Sequence, residues 1–336
     1  MTLSTHELTT LIKAKATELG FSACGVAKAT HVGQEEEARL RRWLDEGRYA
    51  EMHYMANYLD KRLDPRLLMD GLKSIVSLAM NYAPRQRLAT GEPQIAAYAL
   101  GKDYHDVMKQ RIHQLAAYLS ELVGHELNYR AFVDSGPVIE RYWAMQAGLG
   151  WIGKNQLLII PKAGSEFFLG ELFLDMELDY DHPMPNHCGR CHHCIDHCPT
   201  HALADDHEFD AFLCLSYQTI ENRGELSDDA KEKMGDFIYG CDRCQLACPW
   251  NRFAQPTAIP ELKASDELLS MTRQRWEQLS VEDYRRLFKG SAVKRAKYAG
   301  LMRNIRNMAA HYQSDRQTDS PAKPQKENAP QANEQT

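Results

Sequence analysis

The chain has 336 residues, of which 43% are hydrophobic and 26% are charged, as expected for a soluble globular protein of two or three units. Its formal net charge of −6 at pH 7 argues against a protein that coats nucleic acid, although it leaves room for one RNA held by a local basic patch. No apolar run reaches the length of a membrane span, and residues 1–15 lack the apolar segment of a signal peptide. A cytoplasmic location is therefore expected.

Hydrophobic periodicity and turn residues predict a mixture of helices and strands. In chain order they are a helix that Ser4 or Thr5 caps and Gly20 ends, a strand at 21–27, a helix at 34–59, strands at 74–82 and 95–100, a helix from 102, a strand at 128–133, a helix at 138–147, and paired strands at 156–160 and 167–174. Because no regular βαβ repeat is present, the predicted fold class is α+β and not a doubly wound sheet. Pro183 and Pro185 mark the boundary to a cysteine-rich part.

Eight of the nine cysteines lie between positions 188 and 248, with a spacing found in bacterial two-cluster ferredoxins. Cys-x2-Cys-x2-Cys-x3-Cys-Pro begins at 188, a lone cysteine follows at 214, and Cys-x2-Cys-x3-Cys-Pro begins at 241. In that class the fourth cysteine of a run binds the other cluster. The spacing therefore predicts two 4Fe–4S clusters, the first held by Cys188, Cys191, Cys194 and Cys248, and the second by Cys198, Cys214, Cys241 and Cys244.

Other interpretations of the cysteines fit less well. Zinc sites also use paired Cys-x2-Cys, but two of them do not require Cys-x3-Cys-Pro twice. A disulfide framework is disfavoured because no secretory signal precedes the chain and the cysteines are confined to one part of it. The ninth cysteine, Cys24, is expected to be a small buried side chain. The nearby histidines are interpreted as solvated loop residues: His187, His192, His193, His197 and His201.

The N-terminal part is much longer than a ferredoxin requires, so it is expected to hold a redox centre or substrate that the clusters serve. Asp134 follows a predicted strand and precedes a Gly-Pro turn, where it is either a helix N-cap or a general acid beside an apolar cofactor. Residues 102–105 form either an ordinary helix start or a polar rim of the same site. The string GLGWIG from 148 matches a dinucleotide fingerprint, but it follows a helix and precedes a strand, which favours a loop that lets a ligand approach closely.

The C-terminal part changes composition twice. Between Arg285 and His311 there are eight Lys or Arg residues and no acid, which indicates either a phosphate-binding surface or a solvated helical face. Residues 312–336 contain no Ile, Leu, Val, Phe, Met or Trp, so they are predicted to be disordered.

Four segments together resemble the epoxyqueuosine reductase family. They are YALGKDYH at 98–105, FVDSGPVIER at 132–141, GLGWIGKN at 148–155, and the doubled cysteine motif. The resemblance covers about residues 5–310. It implies an oxidoreductase that depends on cobalamin and two 4Fe–4S clusters and performs the last step of queuosine synthesis, in which the epoxide on the modified wobble base of tRNA is reduced to the cyclopentene.

The resemblance also implies an architecture and a set of partners. Residues 1–177 would form a cobalamin-binding α+β domain related to nitroreductases and cobalamin-processing proteins, 178–250 a ferredoxin-like domain, 251–311 a basic helical segment and 312–336 a tail. The expected partners are a tRNA with a GUN anticodon carrying epoxyqueuosine and an external low-potential electron donor, and the expected state is a monomer.

The family's site residues can be carried over by position. The catalytic acid falls on Asp134, which would give a proton to the departing oxygen. Cobalamin contacts fall on Asp134, Arg141, Gly153, Lys154, Asn155, Ser216 and Asp242, and tRNA contacts on Arg285, Arg286, Lys294, Arg295 and Lys297. Asp103 and His105 begin an Asp-x-His-x-x-Gly motif, but Met108 replaces its glycine, so cobalt is expected to have no histidine ligand from the protein.

One departure and two rival functions follow from the same residues. Longer family members continue into HEAT-like repeats after the position of 301–304, so part of the usual tRNA-contacting surface is expected to be missing here or supplied differently. A corrinoid reductive dehalogenase would share both cofactors, but such proteins usually carry a twin-arginine signal. A non-catalytic electron carrier would leave Asp134 and the glycine-rich segment unexplained.

Overall fold

The computed structural model describes residues 3–205 and 207–318. Its α-helices are α1 (Thr5–Glu18), α2 (Gln34–Asp45), α3 (Leu59–Leu63), α4 (Tyr104–Val123), α5 (Glu140–Gln146), α6 (His193–Asp196), α7 (Leu215–Ile220), α8 (Asp228–Lys233), α9 (Arg243–Leu246), α10 (Asp266–Leu269), α11 (Arg273–Glu277), α12 (Val281–Leu287) and α13 (Lys297–Thr318). Its strands are β1 (Ala23–Lys28), β2 (Ser74–Asn81), β3 (Gln94–Ile95), β4 (Tyr129–Phe132), β5 (Trp151–Ile152), β6 (Leu158–Ile159), β7 (Phe167–Leu174) and β8 (Phe237–Tyr239).

An antiparallel sheet with strand order β1-β2-β7-β4 forms the centre of the N-terminal part. Helices α1 and α4 cover one face and α5 covers the other. Gly170 in β7 permits the approach of α4, because a Cβ atom there would lie 2.9 Å from Ile112 and 3.1 Å from Met108. Since both faces are covered, β2 is buried over nearly its whole length. The antiparallel pairing agrees with a mixed α+β class and not with a doubly wound sheet.

The predicted helix ends are confirmed where local chemistry determines them. Ser4 caps α1 in a capping box with Glu7, and Gly20 adopts a φ of +88° just beyond the helix. Asp103 caps α4 within the segment at 102–105 that was predicted to open a helix, whereas the end of this helix at Gly124, with a φ of +75°, was not predicted. Side-chain caps and left-handed glycines act within one turn, so a local pattern is enough to predict them.

Four predicted elements are wrong in length or pairing. The helix predicted at 34–59 ends at Asp45 and is followed by turns that include Gly47, whose φ is +67°. Of the strand predicted at 95–100, only Gln94–Ile95 pairs, in parallel with β8. The strands predicted to pair with each other do not: β6 pairs with β5, and β7 pairs with β2 and β4. Alternating hydrophobicity indicates a strand but does not identify its partner.

The C-terminal helices belong to the same core as the N-terminal sheet. Trp276, Phe288 and Ile305 are at most 1% exposed and lie in one apolar cluster with Ile12 of α1 and Leu115 of α4. Helix α13 continues to Thr318, past the predicted start of the tail at 312, and the remainder of that predicted tail lies outside the described residues. Within 3–205 and 207–318, none of the helices combines the length and hydropathy that crossing a bilayer requires.

Asn304 connects the C-terminal helix to the cysteine-rich part, and its replacement by leucine should destabilise the fold. Its side chain is fully buried and donates to the carbonyls of Thr219 at 2.9 Å and Ile238 at 2.8 Å. Asn304→Leu leaves two buried carbonyls unpaired, so the free energy of unfolding should fall by about 2–5 kcal/mol. Anaerobic urea unfolding followed by circular dichroism would measure this. The exposed Arg306→Gln is the control, expected within about 0.5 kcal/mol of the unaltered protein.

Candidate active site and cysteine centres

Asp134 lies in a constrained turn directly after β4. Its φ of +51° is in the left-handed region, which non-glycine residues seldom adopt and which Asp and Asn tolerate best. Glu140 accepts a hydrogen bond from the Asp134 backbone N–H, and a Cβ at Gly136 would overlap the Phe132 ring. The residue at the cap position of α5 is Ile139, so the N-cap interpretation of Asp134 is wrong. Its carboxylate is instead 61% exposed.

Tyr104 and His105 hold the Asp134 carboxylate from the start of α4. The Tyr104 hydroxyl donates to Asp134 Oδ2, and His105 Nε2 lies 3.7 Å from the same oxygen. His105 Nδ1 is 2.7 Å from Asp103 Oδ1, and this bond lowers the pKa of Asp103. Burial, followed by the neighbouring Asp134 charge, raises the pKa of Tyr104, so its hydroxyl keeps its proton. Residues 102–105 therefore form both a helix start and a polar rim.

Two carboxyl groups that the sequence analysis missed lie beneath Asp134. Glu171, in the middle of β7, is 0% exposed, and neither of its oxygens has a hydrogen-bond partner among the described residues. Burial, together with Glu140 and Asp134, raises its pKa well above the usual range. Burial and the Asp134 charge raise the pKa of Glu140 to about 8. The available signal was the single glutamate inside the apolar run FFLGELFL.

The side chains around Asp134 are accessible to solvent but strongly desolvated. Tyr98, Tyr104 and Arg141 all reach solvent, yet the surrounding protein desolvates them strongly enough to raise the pKa of both tyrosines and lower that of the arginine. This combination indicates a cleft around Asp134. Two aromatic rings, an exposed arginine and an exposed carboxylate suit a large, mainly apolar ligand with a few polar groups.

The eight clustered cysteines fall into two groups of four. Cys188, Cys191, Cys194 and Cys248 line one cavity of about 140 Å³. In the second group, desolvation raises the pKa of the half-buried Cys244 thiol, and the neighbouring Cys241, Cys214 and Cys198 raise it further. The membership of each group is the one that the spacing predicts. Among the described residues, no three His, Cys, Asp or Glu side chains are placed to enclose one metal ion.

The thiols are poised for a metal cluster and not for free reactivity. Burial is the main cause that raises the pKa of Cys194 to about 11 and that of Cys241 to about 12. Without a cation these thiols keep their protons, whereas iron binding requires thiolates. Cys24, outside both groups, is half-buried against the main apolar cluster and so is less buried than expected, and desolvation raises its pKa to about 12.

The second cysteine group adjoins the Asp134 cleft through a line of tyrosines. Tyr239 precedes Cys241 by two residues, and its hydroxyl lies 3.2 Å from the Tyr98 hydroxyl. The Tyr98 ring lies 6.3 Å from the Tyr104 ring, whose hydroxyl contacts Asp134. A Cβ at Gly240 would lie 2.5 Å from the Ala96 side chain, so the two parts are in tight contact.

The residues predicted to contact cobalamin are found in three places. Arg141 lies at the cleft, near Asp134, and donates to the Gln156 carbonyl. Lys154 and Asn155 line the cavity of the first cysteine group, next to the tight turn at Gly153. Beside the second group, the Ser216 backbone N–H faces Cys214, and buried Asp242 accepts from the Ala97 N–H at 2.8 Å and pairs with Arg87 at 2.8 Å.

The predicted tRNA-contacting cations differ in whether carboxylates of the protein already pair with them. Arg285, Lys294 and Lys297 are exposed. Arg286 pairs with Glu267 and Asp283, and Arg295 pairs with Glu221 at 2.8 Å while lying 5.8 Å from the Tyr54 ring. Arg303, from the same basic stretch, turns inward and donates to the carbonyls of Gln218 and Asn222. The sequence analysis missed the exposed aromatic rings of Tyr54 and Tyr58, which are 44% and 63% exposed.

Comparisons with known proteins identify the family. A family model described as epoxyqueuosine reductase QueG, DUF1730, matches residues 62–135, and one described as a 4Fe-4S double cluster binding domain matches residues 187–251. A curated epoxyqueuosine reductase of Cellulophaga algicola is 48% identical over 295 residues, which cover 88% of this chain and 96% of that protein. The chain belongs to the epoxyqueuosine reductase family. The resemblance predicted from the sequence is thereby confirmed, together with the 4Fe–4S double cluster domain.

Further epoxyqueuosine reductases agree with this assignment. That of Escherichia coli is 37% identical over 309 residues, covering 90% of this chain and 81% of that protein. A crystal structure of an epoxyqueuosine reductase with an epoxyqueuosine-modified tRNA-Tyr stem loop superposes with a TM-score of 0.85 at 28% identity, covering 92% of this chain and 82% of that chain. The Streptococcus thermophilus structure gives 0.81 at 28% identity, covering 93% and 86%. An isolated electron carrier would share only the cysteine-rich part with this family.

Proposed function

We propose that this chain reduces epoxyqueuosine to queuosine at the wobble position of tRNA, with electrons that pass through two 4Fe–4S clusters to a bound cobalamin. The observation that carries the proposal is 48% identity to a curated epoxyqueuosine reductase over almost the full length of both chains. Its physical support is a carboxylate held in a cleft that adjoins one of two groups of four cysteines.

Reduction of the epoxide to the alkene consumes two electrons and two protons and releases one water. Cobalamin, when bound, supplies the low-potential electrons at the epoxide carbons. Asp134 lies exposed at the cleft and gives a proton to the oxygen that leaves the ring. The Tyr104 hydroxyl, through its hydrogen bond to Oδ2, orients the carboxyl group so that Oδ1 faces the substrate.

The two cysteine groups supply the ligands of the clusters. The second group adjoins the cleft and the first lies beyond it, next to the half-buried Trp250 and the exposed His187. We therefore assign electron entry from an external low-potential donor to the first cluster and delivery to the second.

Cobalamin would occupy the cleft between Asp134, Arg141 and the second cysteine group. Desolvated but accessible side chains on its walls support a large bound group. Both ring nitrogens of His105 face carboxylates, Asp103 and Asp134, which supports cobalt without a histidine ligand. Of the predicted cobalamin contacts, Arg141 lies at the cleft, and Ser216 and Asp242 lie beside the second cysteine group. Lys154 and Asn155, with the turn at Gly153, lie at the first cysteine group.

The RNA would approach from the basic C-terminal segment. Arg285, Lys294 and Lys297 offer exposed charges for phosphates, and the Arg295–Tyr54 pair provides a stacking surface near the cleft, since the charge of Asp134 acts on Tyr54. Arg286 would have to exchange its carboxylate partners for phosphate. The substrate is a tRNA with a GUN anticodon, which places the protein in the cytoplasm, and the working unit is a monomer. The division at 177, 250 and 311 remains the proposed domain scheme.

A single-turnover assay tests the function. Anaerobically reconstituted protein with cobalamin and a strong reductant is given tRNA carrying epoxyqueuosine, and the nucleosides are read by mass spectrometry. Loss of one oxygen to give queuosine is expected. Product formed without cobalamin would remove the corrinoid from the proposal, and no product from protein with full iron content would refute the assigned reaction.

Asn155 should tune the potential of the first cluster. Its side chain is 5% exposed, lines the cavity of the first cysteine group, and has no partner for Nδ2 in the described structure. A donor aimed at cluster sulfur stabilises the reduced, more negative state, so Asn155→Leu should shift one midpoint potential to a more negative value. A redox titration followed by electron paramagnetic resonance measures it, and the second cluster's unchanged potential is the internal control.

A further inference from the structure

An open depression beside the first cysteine group has no role in the reaction as described so far. Its volume is about 490 Å³, and Cys248, one of the four cysteines of that group, lines both the depression and the cavity of the group. A molecule bound in the depression would therefore lie next to a ligand of the first cluster. Such a place suits a partner that exchanges electrons with that cluster.

Buried hydrogen bonds fix the shape of the depression from behind. Gln245 of α9 is 6% exposed and donates to the Tyr82 hydroxyl at 2.9 Å and to the Ser165 carbonyl at 3.1 Å. Asn251 donates to the Gln245 carbonyl at 2.7 Å and accepts from the Ser165 N–H at 2.6 Å. These bonds hold the inner side of α9, whereas the next residue, Leu246, is 55% exposed and lines the depression.

The exposed side chains of the depression combine an apolar contact with positive charge. The guanidinium of exposed Arg252 lies 4.4 Å from the Phe253 ring centroid and pairs with none of the described carboxylates. Arg87 adds a second, half-buried guanidinium. Among the described residues that line the depression, the only carboxylate is Glu166, which is 5% exposed and is paired with Arg87. The open face beside Leu246 is therefore cationic on a chain whose formal net charge is −6.

An exposed leucine beside unpaired positive charge suits a small, short-lived complex of the kind that electron carriers form. RNA fits less well, because its phosphates require a row of free cations and the lining offers two arginines, one of them already paired. We propose that this depression is the docking site of the electron donor, and that the donor is a small acidic protein that carries one electron at low potential.

This inference rests on the proposed function and names the partner that it requires. In each encounter the carrier loses one electron and the first cluster gains it, and no covalent bond changes. Two encounters supply the two electrons that one epoxide reduction consumes.

Stopped-flow electron transfer tests the surface without tRNA. The full chain with both clusters is reduced, freed of reductant and mixed with oxidised flavodoxin, an acidic one-electron probe, and the flavin semiquinone that forms is read by absorbance. This direction is favourable for a low-potential cluster and uses the same docked complex. The second-order rate constant should fall as ionic strength rises, because exposed charges are screened beyond about 10 Å in 0.1 M salt.

Two variants should weaken the complex in different ways. Arg252→Glu should lower the rate constant about 10-fold at low ionic strength, with the difference shrinking at high salt. Leu246→Gln should raise the half-saturating concentration of flavodoxin about 5- to 10-fold at every salt concentration, because the apolar contact is lost. Neither variant should alter the iron content or the rate of electron transfer to free riboflavin, a small neutral acceptor that needs no docking surface.

Matched controls come from exposed residues elsewhere. Lys28→Glu, at the end of β1, changes the net charge as much as Arg252→Glu does and should leave the rate constant unchanged. Phe212→Gln removes another exposed apolar side chain, 51% exposed and two residues before Cys214 of the second group, and should also have no effect.

A rate constant that ignores ionic strength, or one that Arg252→Glu leaves unaltered, would overturn the inference. An effect of Phe212→Gln in place of Leu246→Gln would overturn it too, by placing electron entry at the second cluster. So would a loss of tRNA affinity in Arg252→Glu with unchanged electron transfer, which would assign the depression to RNA. If electron transfer behaves as expected but reduced protein with cobalamin makes no queuosine, the proposed reaction fails and the docking site stands.

Discussion

Asp134→Asn should lower the single-turnover formation of queuosine by about 10³-fold, within the range that a positioned general acid contributes. Asparagine accepts the Tyr104 hydrogen bond and tolerates the left-handed backbone at this position, but it has no proton to give to the departing oxygen. Quenched time points analysed by nucleoside mass spectrometry measure the rate. Iron content and tRNA affinity should stay at their original values, because neither depends on the acid.

Two further variants test whether the effect is specific to the acid at Asp134. Asp106→Asn replaces an exposed aspartate on α4 near the site and should keep full activity. Asp134→Ala should be inactive and less stable as well, because alanine does not readily adopt a φ of +51°. If Asp134→Asn retained more than about a tenth of the rate, the proton would have to come from another group, and the assignment of the acid would be wrong.

Cys244→Ser should remove one cluster and abolish electron delivery. Cys244 lies half-buried beside Cys241, Cys214 and Cys198, and serine at this place offers a weaker ligand to iron than a thiolate. The iron content should fall from about eight to about four per chain, and single-turnover product should fall below detection. Iron analysis, visible absorbance and the nucleoside assay measure these changes on one anaerobic preparation.

Cys24→Ala serves as the control for this experiment. Cys24 lies in β1 between Ala23 and Gly25 and belongs to neither group of four, so its loss should leave iron content and rate unchanged. A Cys244→Ser protein that keeps about eight irons would contradict the assigned ligand set. A protein that lost half its iron but kept full activity would show that the second cluster is not on the electron path.

Glu140 and Glu171 also make the stability of the protein depend on pH. Their folded-state pKa values are raised, so their contribution to the free energy of unfolding is fully present below the ordinary carboxyl pKa and is lost progressively as the pH rises above it, a loss that is complete above about pH 8 for Glu140. Removing either ionisable group should therefore make the melting temperature less sensitive to pH between about 5 and 8.

The sequence by itself determined the features that depend on short spacings. The capping box of α1 and the cap of α4 follow from residues a few positions apart. The membership of the two cysteine groups follows from a repeated motif in which the last cysteine of each run binds the other cluster. The family resemblance has the same origin, because segments such as 98–105 and 132–141 carry their information locally.

Only the tertiary structure decided which distant residues meet. Glu171 lies opposite Phe132, two residues before Asp134, because β7 pairs with β4, a pairing that alternating hydrophobicity did not identify. Arg303 donates to backbone carbonyls although its neighbours look like a uniform basic face. Lys154 and Asn155 lie at the first cysteine group and not beside Asp134. Strand partners, helix rotation and burial depend on the free energy of the whole core, so a local pattern cannot express them.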